Sequence, residues 1–244
     1  MHFELLVEDQ SGKKALDILV PKILGAGHTH TLNIHAYRGI GRIPKDLRGA
    51  ADPVKRMLLD RLPGLLRGYG NTFAGWPSDF PAAVVVVCDL DDRCLKAFRD
   101  ELLAVLGECN PAPLTCFCIA IKESEAWLLG DPNAIRTAYP QVKGSAWNKA
   151  GDTWETLADV VTPGEAAQLA RKGYPAIGEA KSRWAEEIAP HMDVDNNQSA
   201  SFVYFRDKLR ALAAGTQVPT SGSRGPTSGS QVPTSGSRGP TSGC

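Results

Sequence analysis

The chain lacks the features of membrane and secreted proteins. Its longest apolar run, residues 82–88, is far shorter than the ~20 residues that a helix needs to cross a bilayer. The first residues include the carboxylate of Glu4 and no basic stretch ahead of an apolar segment, unlike a secretory signal. We therefore expect a cytoplasmic protein that does not bind a membrane.

Excess charge of either sign is also absent, because 27 Lys and Arg residues balance 27 Asp and Glu residues. Any polyanion must therefore bind through a local basic patch. The sequence contains no GxSxG, GxxxxGK[ST] or CxxC motif. Serine hydrolases, P-loop ATPases and CxxC zinc proteins are therefore not supported.

Strand and helix patterns alternate along the first half of the chain. Apolar or alternating segments predict four strands, at residues 3–7, 31–37, 82–88 and 114–121. Helical spacing predicts helices at residues 11–23, with Ser11 as the N-cap, at 53–66, with an interruption near Pro63, and at 93–106. This order predicts an α/β fold with a mostly parallel sheet flanked by helices.

The second half divides into two regions of different composition. Only helical patterns follow residue 123, at 162–171, 177–189 and 199–212. Residues 217–244 contain the segment QVPTSGSRGPTSG twice and almost no large apolar side chains, which is typical of disorder. We expect an α/β domain over residues 1–130, a helical C-terminal region packed on it over 131–215, and a disordered tail over 216–244.

Acidic residues follow three of the four predicted strands. They are Glu8 and Asp9 after the first strand, Asp89, Asp91 and Asp92 after the third, and Glu123 and Glu125 after the fourth. Carboxyl ends of parallel strands lie at one edge of a sheet, where ligands bind. Converging carboxylates repel unless a cation neutralises them, and oxygen ligands select hard ions such as Mg²⁺ or Mn²⁺. We therefore expect a metal site at this edge.

The spacing of Asp89 and Asp91 supports this expectation. Residues two apart in an extended chain point to the same side, so both carboxylates can face one point. An acid after a strand can also cap a helix, and Asp9, Asp91 and Asp92 are candidates for that role. For Glu123 the first turn of a helix is the corresponding alternative.

Basic residues follow the second strand in the loop YRGIGRIPKDLR. Arg38, Arg42 and Lys45 stand beside Gly39 and Gly41, a combination that can hold a phosphodiester through guanidinium groups and backbone N–H groups. A solvated loop is the alternative. Further along, Lys181 either neutralises transition-state charge or is an ordinary surface lysine.

Four segments together resemble a known family. They are LLVEDQSGKKAL at residues 5–16, VVVVCDLDD at 84–92, IAIKESEAWLLGDP at 119–132 and SASFVYFRDKLRAL at 199–212. A first strand ending in Glu and a later strand ending in Asp-x-Asp resemble the motifs of Toprim domains. The chain more closely resembles a bacterial Toprim-like family, domain of unknown function 4276, which is related to the overcoming-lysogenization-defect nucleases.

The resemblance implies a function for each acid. Glu8 corresponds to the Toprim glutamate, a general base or metal-linked acid. Asp89 and Asp91 correspond to the metal-binding pair, and Glu123 and Glu125 to an additional acid cluster of the related nucleases. Toprim domains usually have glycine after the first glutamate, where this chain has Asp9.

The sequence leads to one main hypothesis and one competing alternative, with a small-molecule phosphatase as a third option. The main hypothesis is a Toprim-like nuclease that uses Mg²⁺ or Mn²⁺ to hydrolyse phosphodiesters of DNA or RNA. The resemblance further implies a role in bacterial defence against phage, with a separate ATPase as partner. The alternative is a non-catalytic Toprim-like binding module of such a defence complex.

Overall fold

A parallel sheet of four strands forms the centre of the molecule. The computed structural model describes residues 1–25, 27, 29–47, 54, 56–142 and 153–215, so the predicted tail at 216–244 lies outside the described residues. The strands are β1 His2–Val7, β2 Thr31–Ala36, β3 Ala82–Asp89 and β4 Thr115–Ala120. They are all parallel, in the order β2-β1-β3-β4. The predicted α/β class is confirmed.

Helices cover both faces of this sheet. The described helices are α1 Gln10–Leu24, α2 Leu58–Ala74, α3 Leu95–Gly107, α4 Glu125–Leu129, α5 Pro132–Ala138, α6 Trp154–Val161, α7 Glu165–Lys172, α8 Ala176–Ile188 and α9 Ala200–Ala213. A short 3-10 helix, Ala189–His191, follows α8. None of the described helices is long and apolar enough to cross a membrane.

The sheet separates two apolar clusters. Phe3, Leu5 and Val7 of β1 pack with α1 and the C-terminal helices α8 and α9 on one face. Leu6 of β1 and Val84 and Val86 of β3 pack with α2 and α3 on the other. The central strands β1 and β3 are thus buried on both faces, which explains their nearly continuous apolar sequences.

Two local predictions were wrong. Ser11 is not the N-cap of α1, because Asp9 takes that position and accepts hydrogen bonds from the Gly12 N–H at 2.8 Å and from the Ser11 hydroxyl. Pro63 does not interrupt α2, which continues to Ala74. The ring of Pro63 is buried with the apolar face of the helix, and this packing outweighs the lost backbone hydrogen bond.

Gly41 allows the loop after β2 to approach α2 closely. Its φ is +69°, and a Cβ atom there would lie 2.4 Å from Asp60 Oδ2 and 2.5 Å from Met57 Cβ. Glycine is therefore required by both backbone conformation and space. The loop glycines serve packing against the helix, whereas the sequence had suggested contact with a phosphate.

Replacing Gly41 with alanine should destabilise the fold more than the same change at Gly164. Gly164 also has a positive φ, of +83°, but nothing lies within 4 Å of its added Cβ. Gly164→Ala should therefore cost only about 1–2 kcal/mol for the left-handed backbone. Gly41→Ala should cost about 1–3 kcal/mol more for overpacking. Urea unfolding of both variants measures the difference, and equal losses would contradict it.

Glu4 joins β1, β2 and α2 through a buried hydrogen-bond network. Its carboxylate accepts hydrogen bonds from His2 at 2.9 Å, Asn33 at 2.9 Å, His35 at 2.6 Å and Tyr69 at 3.1 Å. Burial by itself raises the pKa of Glu4, but the hydrogen bonds from His2, Asn33 and His35 outweigh burial and hold the pKa below its ordinary value. The ionised carboxylate therefore stabilises the fold.

Glu4→Gln should lower the free energy of unfolding at pH 7 by about 1–3 kcal/mol, because the amide brings a donor to a site surrounded by donors. The pKa of Glu4 in the folded state lies below the ordinary 4.5. Its charge therefore contributes fully above that pH, and the contribution is lost as pH falls through the folded-state pKa.

Urea unfolding of the wild type and Glu4→Gln at pH 7 and in acid checks this expectation. The difference in the free energy of unfolding between the two proteins should disappear below the ordinary pKa of Glu4. Glu101→Gln, a change on an exposed part of α3, is the matched control and should give a small gap at both pH values. A gap that stays constant with pH would show that the charge of Glu4 is not what stabilises the network.

Candidate active site

The predicted acids lie where the direction of the sheet connections changes. The chain leaves β1 for β2 on one side and leaves β3 for β4 on the other, and β1 and β3 are neighbours. Sheets of this kind bind ligands in the crevice beyond the carboxyl ends of such a strand pair. Glu8 follows β1 and Asp89 ends β3, so both lie at this crevice.

Two hydrogen bonds connect the ends of β1, β3 and β4. Glu8 Oε2 accepts the backbone N–H of Asp89 at 3.1 Å, and Asp89 Oδ1 accepts the backbone N–H of Ser124, just before α4, at 2.9 Å. Within the described part of the chain, the second oxygen of each carboxylate accepts no hydrogen bond. The side chain of Glu8 therefore contacts the backbone of Asp89, and one oxygen of each carboxylate accepts no hydrogen bond from these residues. The convergence of the two carboxylates on a metal ion stays a prediction.

Asp91 does not occupy the position that its spacing predicted. β3 ends at Asp89, and Asp91 has a φ of +52° in the turn beyond it. The extended-chain argument that placed both carboxylates on one side is therefore wrong. Asp89 is 8 % exposed, whereas Asp91 is exposed. Its charge still raises the pKa of Glu8.

Backbone strain also concentrates at this edge of the sheet. Asp91 and Lys122 are the non-glycine residues with positive φ in the described part of the chain, at +52° and +64°. The Asp91 N–H donates to the Lys122 carbonyl at 3.0 Å, joining the loops after β3 and β4. Such conformations persist where the surroundings enforce them, and they often occur at functional sites.

Lys181 of α8 extends into the acid cluster. Its Nζ lies 3.0 Å from Glu125 Oε2 and 3.9 Å from Glu123 Oε2. The side chain of Lys181 is only 8 % exposed, so its interpretation as a surface lysine was wrong. Glu123 Oε2 also accepts the Trp154 N–H at the start of α6, at 2.8 Å. Glu123 and Glu125 thus join the cluster with partners of their own, and their role as metal ligands stays a prediction.

The electrostatics of the cluster are dominated by burial. Burial, together with the charges of Asp9 and Asp91, raises the pKa of Glu8 to about 7 against the opposing hydrogen bond from Asp89. Burial also raises the pKa of Glu125 to about 7 and, with the charges of Glu8 and Glu125, that of Asp89. Perturbed carboxylates of this kind are typical of functional sites.

The same acids keep Lys181 protonated. Burial alone would lower the pKa of Lys181, but the charges of Glu125, Asp89, Glu123 and Asp9 outweigh burial and raise it. Lys181 therefore holds its proton and acts as a fixed positive charge. This charge partly compensates the carboxylates around it.

An open groove of about 1030 Å³ leads to the cluster. Residues from several elements line it, among them Glu8, Asp9, Arg38, Tyr174, Lys181 and Arg183. Arg38 thus shares a surface with the acids, as the predicted phosphate loop required. Arg42 and Lys45 are not part of the groove lining, so Arg38 is the one cation among the described residues of that loop that reaches the groove.

The oxygen donors of this cluster suit Mg²⁺ or Mn²⁺. Among the described residues, no group of three or more His, Cys, Asp and Glu side chains is arranged to hold a metal ion. Mg²⁺ does not need such a cage, because it commonly binds one or two carboxylates and completes its shell with water and substrate phosphate. Glu8 and Asp89 provide such a pair of carboxylates.

Compared with family models, with curated proteins and with solved structures, the chain shows no match. The Toprim resemblance therefore rests on the four sequence segments. The fold and the geometry define an α/β protein with a buried carboxylate–lysine site at the point where its sheet connections change direction.

Removing the charge of Lys181 should destabilise the protein in a pH-dependent way. Lys181→Met leaves Glu125 and Asp89 without their compensating cation and should cost about 3 kcal/mol or more above pH 7. Because the pKa values of Glu8 and Glu125 are raised to about 7, these acids protonate in mild acid. The folded protein favours the neutral forms of these acids, and this contribution to the free energy of unfolding is fully present below the pKa that the acids have in the unfolded chain. The contribution is lost as pH rises through 7.

Thermal unfolding at pH 5 and pH 8 measures this effect. The decrease in melting temperature caused by Lys181→Met should be smaller at pH 5 than at pH 8. Lys172→Met, at an exposed position in the last turn of α7, is the control and should show little change at either pH. A loss at Lys181 that does not depend on pH would indicate packing instead of charge compensation.

Proposed function

We propose that this protein is a Toprim-like phosphodiesterase that uses a divalent cation to hydrolyse DNA or RNA. The observation that carries the proposal is the contact of Glu8 with Asp89 at the crevice between β1 and β3. It links the carboxylate of Glu8 to the backbone of Asp89, which carries the second carboxylate on a separate strand, and the charges of the two side chains interact. A buried lysine lies in the same cluster and offers positive charge to a phosphate.

Glu8 and Asp89 would hold Mg²⁺ or Mn²⁺. The bound ion would polarise the phosphate and lower the pKa of a water molecule. Glu8 would complete the shell of the ion, or it would orient that water and accept its proton. Hydrolysis forms a bond from the water oxygen to phosphorus and breaks a phosphorus–oxygen ester bond. The departing oxygen takes a proton from solvent.

Lys181 would stabilise charge and not transfer a proton. Its raised pKa makes it a poor acid, but its fixed charge suits the negative charge that develops on a phosphate. Glu125 would position the ammonium group through their 3.0 Å ion pair. Glu123 would do the same more weakly, since it also holds the N-terminus of α6.

The proposed partners follow from charge and from the resemblance. A chain with no net charge has no long-range attraction for nucleic acid. We therefore expect weak affinity by the isolated protein and delivery of the substrate by a partner. An ATPase partner and a role in phage defence are supported by the Toprim-like resemblance alone. A cytoplasmic location is supported by the sequence alone.

A non-catalytic binding module is the second candidate, and Asp9 is the observation that favours it. Asp9 stands where Toprim domains usually have glycine, and its carboxylate caps α1. Its negative charge acts on Glu8 and opposes an approaching phosphate. In this alternative the crevice would bind a strand or a partner without cleaving it.

Asp89→Asn separates activity from stability. The amide oxygen can still accept the Ser124 N–H, but the buried charge is lost. We expect Mn²⁺- or Mg²⁺-dependent nicking of plasmid DNA or cleavage of RNA to fall by about a hundredfold or more. Because burial raises the pKa of Asp89, the ionised form destabilises the metal-free fold. The melting temperature in EDTA should therefore rise.

Asp92→Asn is the matched control, because the side chain of Asp92 is 99 % exposed. It should keep the activity of the wild type. Mn²⁺ should raise the melting temperature of the wild type more than that of Asp89→Asn. Equal cleavage by the wild type and Asp89→Asn would overturn the metal-dependent mechanism. Binding of nucleic acid without cleavage, even with a partner present, would support the binding module.

A further inference from the structure

A second cavity, of about 700 Å³, adjoins the groove that leads to the acids. It is rich in basic groups, and we call it the arginine pocket. Its lining consists of Gln10, His35, Ala36, Tyr37, Arg38, Arg56 and Arg61. None of these lining residues carries a carboxylate. Arg56 and Arg61 belong to no motif that the sequence suggested.

The backbone brings these arginines together from two segments. The Arg38 N–H donates to the Arg56 carbonyl at 3.0 Å, and the Leu58 N–H donates to the Gly39 carbonyl at 3.0 Å. The loop after β2 is therefore fixed against the chain that enters α2. Arg61 lies in the first turns of α2. The three arginine residues thus line one cavity although 23 positions separate Arg38 from Arg61.

Arg61 has an unsatisfied donor. Its Nε atom is buried and has no hydrogen-bond partner among the described residues, which is uncommon for a buried polar group. The carboxylate of Glu4, which accepts a hydrogen bond from the pocket residue His35, also accepts hydrogen bonds from Asn33 and Tyr69. The pocket therefore has positive charge and donor capacity that the described part of the protein does not use.

The arginine pocket and the groove form a continuous surface. Gln10, Tyr37 and Arg38 line both. One end of this surface holds Glu8, and the other holds Arg56 and Arg61. A ligand that extends along it would meet the acids at one end and the guanidinium groups at the other.

We propose that the arginine pocket binds a phosphate group of a nucleic-acid strand whose neighbouring phosphodiester lies at Glu8 and Asp89. Planar guanidinium groups bind phosphate oxygens in pairs, which favours a phosphate over a monovalent anion such as chloride. Contacts of this kind position a strand without reading its bases. The choice of ligand rests on the proposed function, whereas the anion site itself rests on the arginines.

Binding in EDTA tests the pocket separately from cleavage. Fluorescence anisotropy with labelled oligothymidylate and oligouridylate measures affinity over a range of salt concentrations. For Arg56→Gln/Arg61→Gln we expect affinity to fall about tenfold or more and the salt dependence to weaken by about one to two charges. Arg171→Gln, on an exposed turn of α7, removes one charge elsewhere and should bind like the wild type.

A second variant and a second probe keep the test decisive. Arg56→Gln is a single change at an exposed side chain, so it should leave the fold intact, and it should weaken binding severalfold. It therefore tests the pocket even if the double variant folds poorly. Inorganic phosphate should compete with the oligonucleotide for the wild type, which distinguishes a phosphate site from diffuse attraction. Equal affinities for Arg56→Gln, Arg171→Gln and the wild type would overturn the proposal. If binding changes as expected but the wild type does not cleave with Mn²⁺ or Mg²⁺, the arginine pocket is supported and the proposed function is overturned.

Discussion

The compensation of buried acids by Lys181 is the interaction on which the site depends. Burying an ionised group costs several kcal/mol unless a partner and hydrogen bonds offset the cost. Lys181 lies 3.0 Å from Glu125 and interacts with the charge of Asp89. Because Lys181 belongs to α8, and α8 packs with α1 and β1 in one apolar cluster, the helical region after residue 131 contributes directly to the strand ends. The acids follow the strands of the sheet, whereas their cation, Lys181, belongs to the helical region. The two regions therefore form the site together.

The compensation is incomplete, and this suggests a role beyond stability. The pKa values of Glu8 and Glu125 remain raised, to about 7, so their ionised forms oppose folding at neutral pH. Apolar side chains of similar size are often more stable than buried charges. Glu8 lines the open groove, Glu125 is buried against Lys181, and two residues with unusual backbone conformations follow the neighbouring strands. These properties are typical of functional sites. A divalent cation would supply the missing positive charge.

Zero net charge conceals a separation of charge over the surface. The acids gather at the ends of β1, β3 and β4, whereas Arg38, Arg56 and Arg61 gather around the entrance to α2. In the proposed function, a strand of nucleic acid would use both kinds of surface, since arginines would attract its backbone and the carboxylates would hold the cation that acts on the scissile phosphate. The global count therefore predicts weak long-range attraction, but it does not describe the local field that a bound strand would experience.

The four strands, their parallel arrangement and the acids at their ends followed from the sequence alone, because apolar periodicity and chain direction determine which residues leave the sheet at one edge. Local details were only partly predictable: Asp9, which the sequence offered as a candidate cap, and not Ser11 caps α1, and α2 continues through Pro63 because the ring packs against the core. The partners of those acids depended on contacts between distant segments. The sequence pattern of α8 alone suggests that Lys181 is a surface lysine. The side chain is buried because α8 packs beside the strand ends. Arg56 and Arg61 face Arg38 only because the loop after β2 is bonded to the chain before α2. Sequence patterns report local geometry, whereas charge compensation and cavities arise from long-range packing that only the tertiary structure decides.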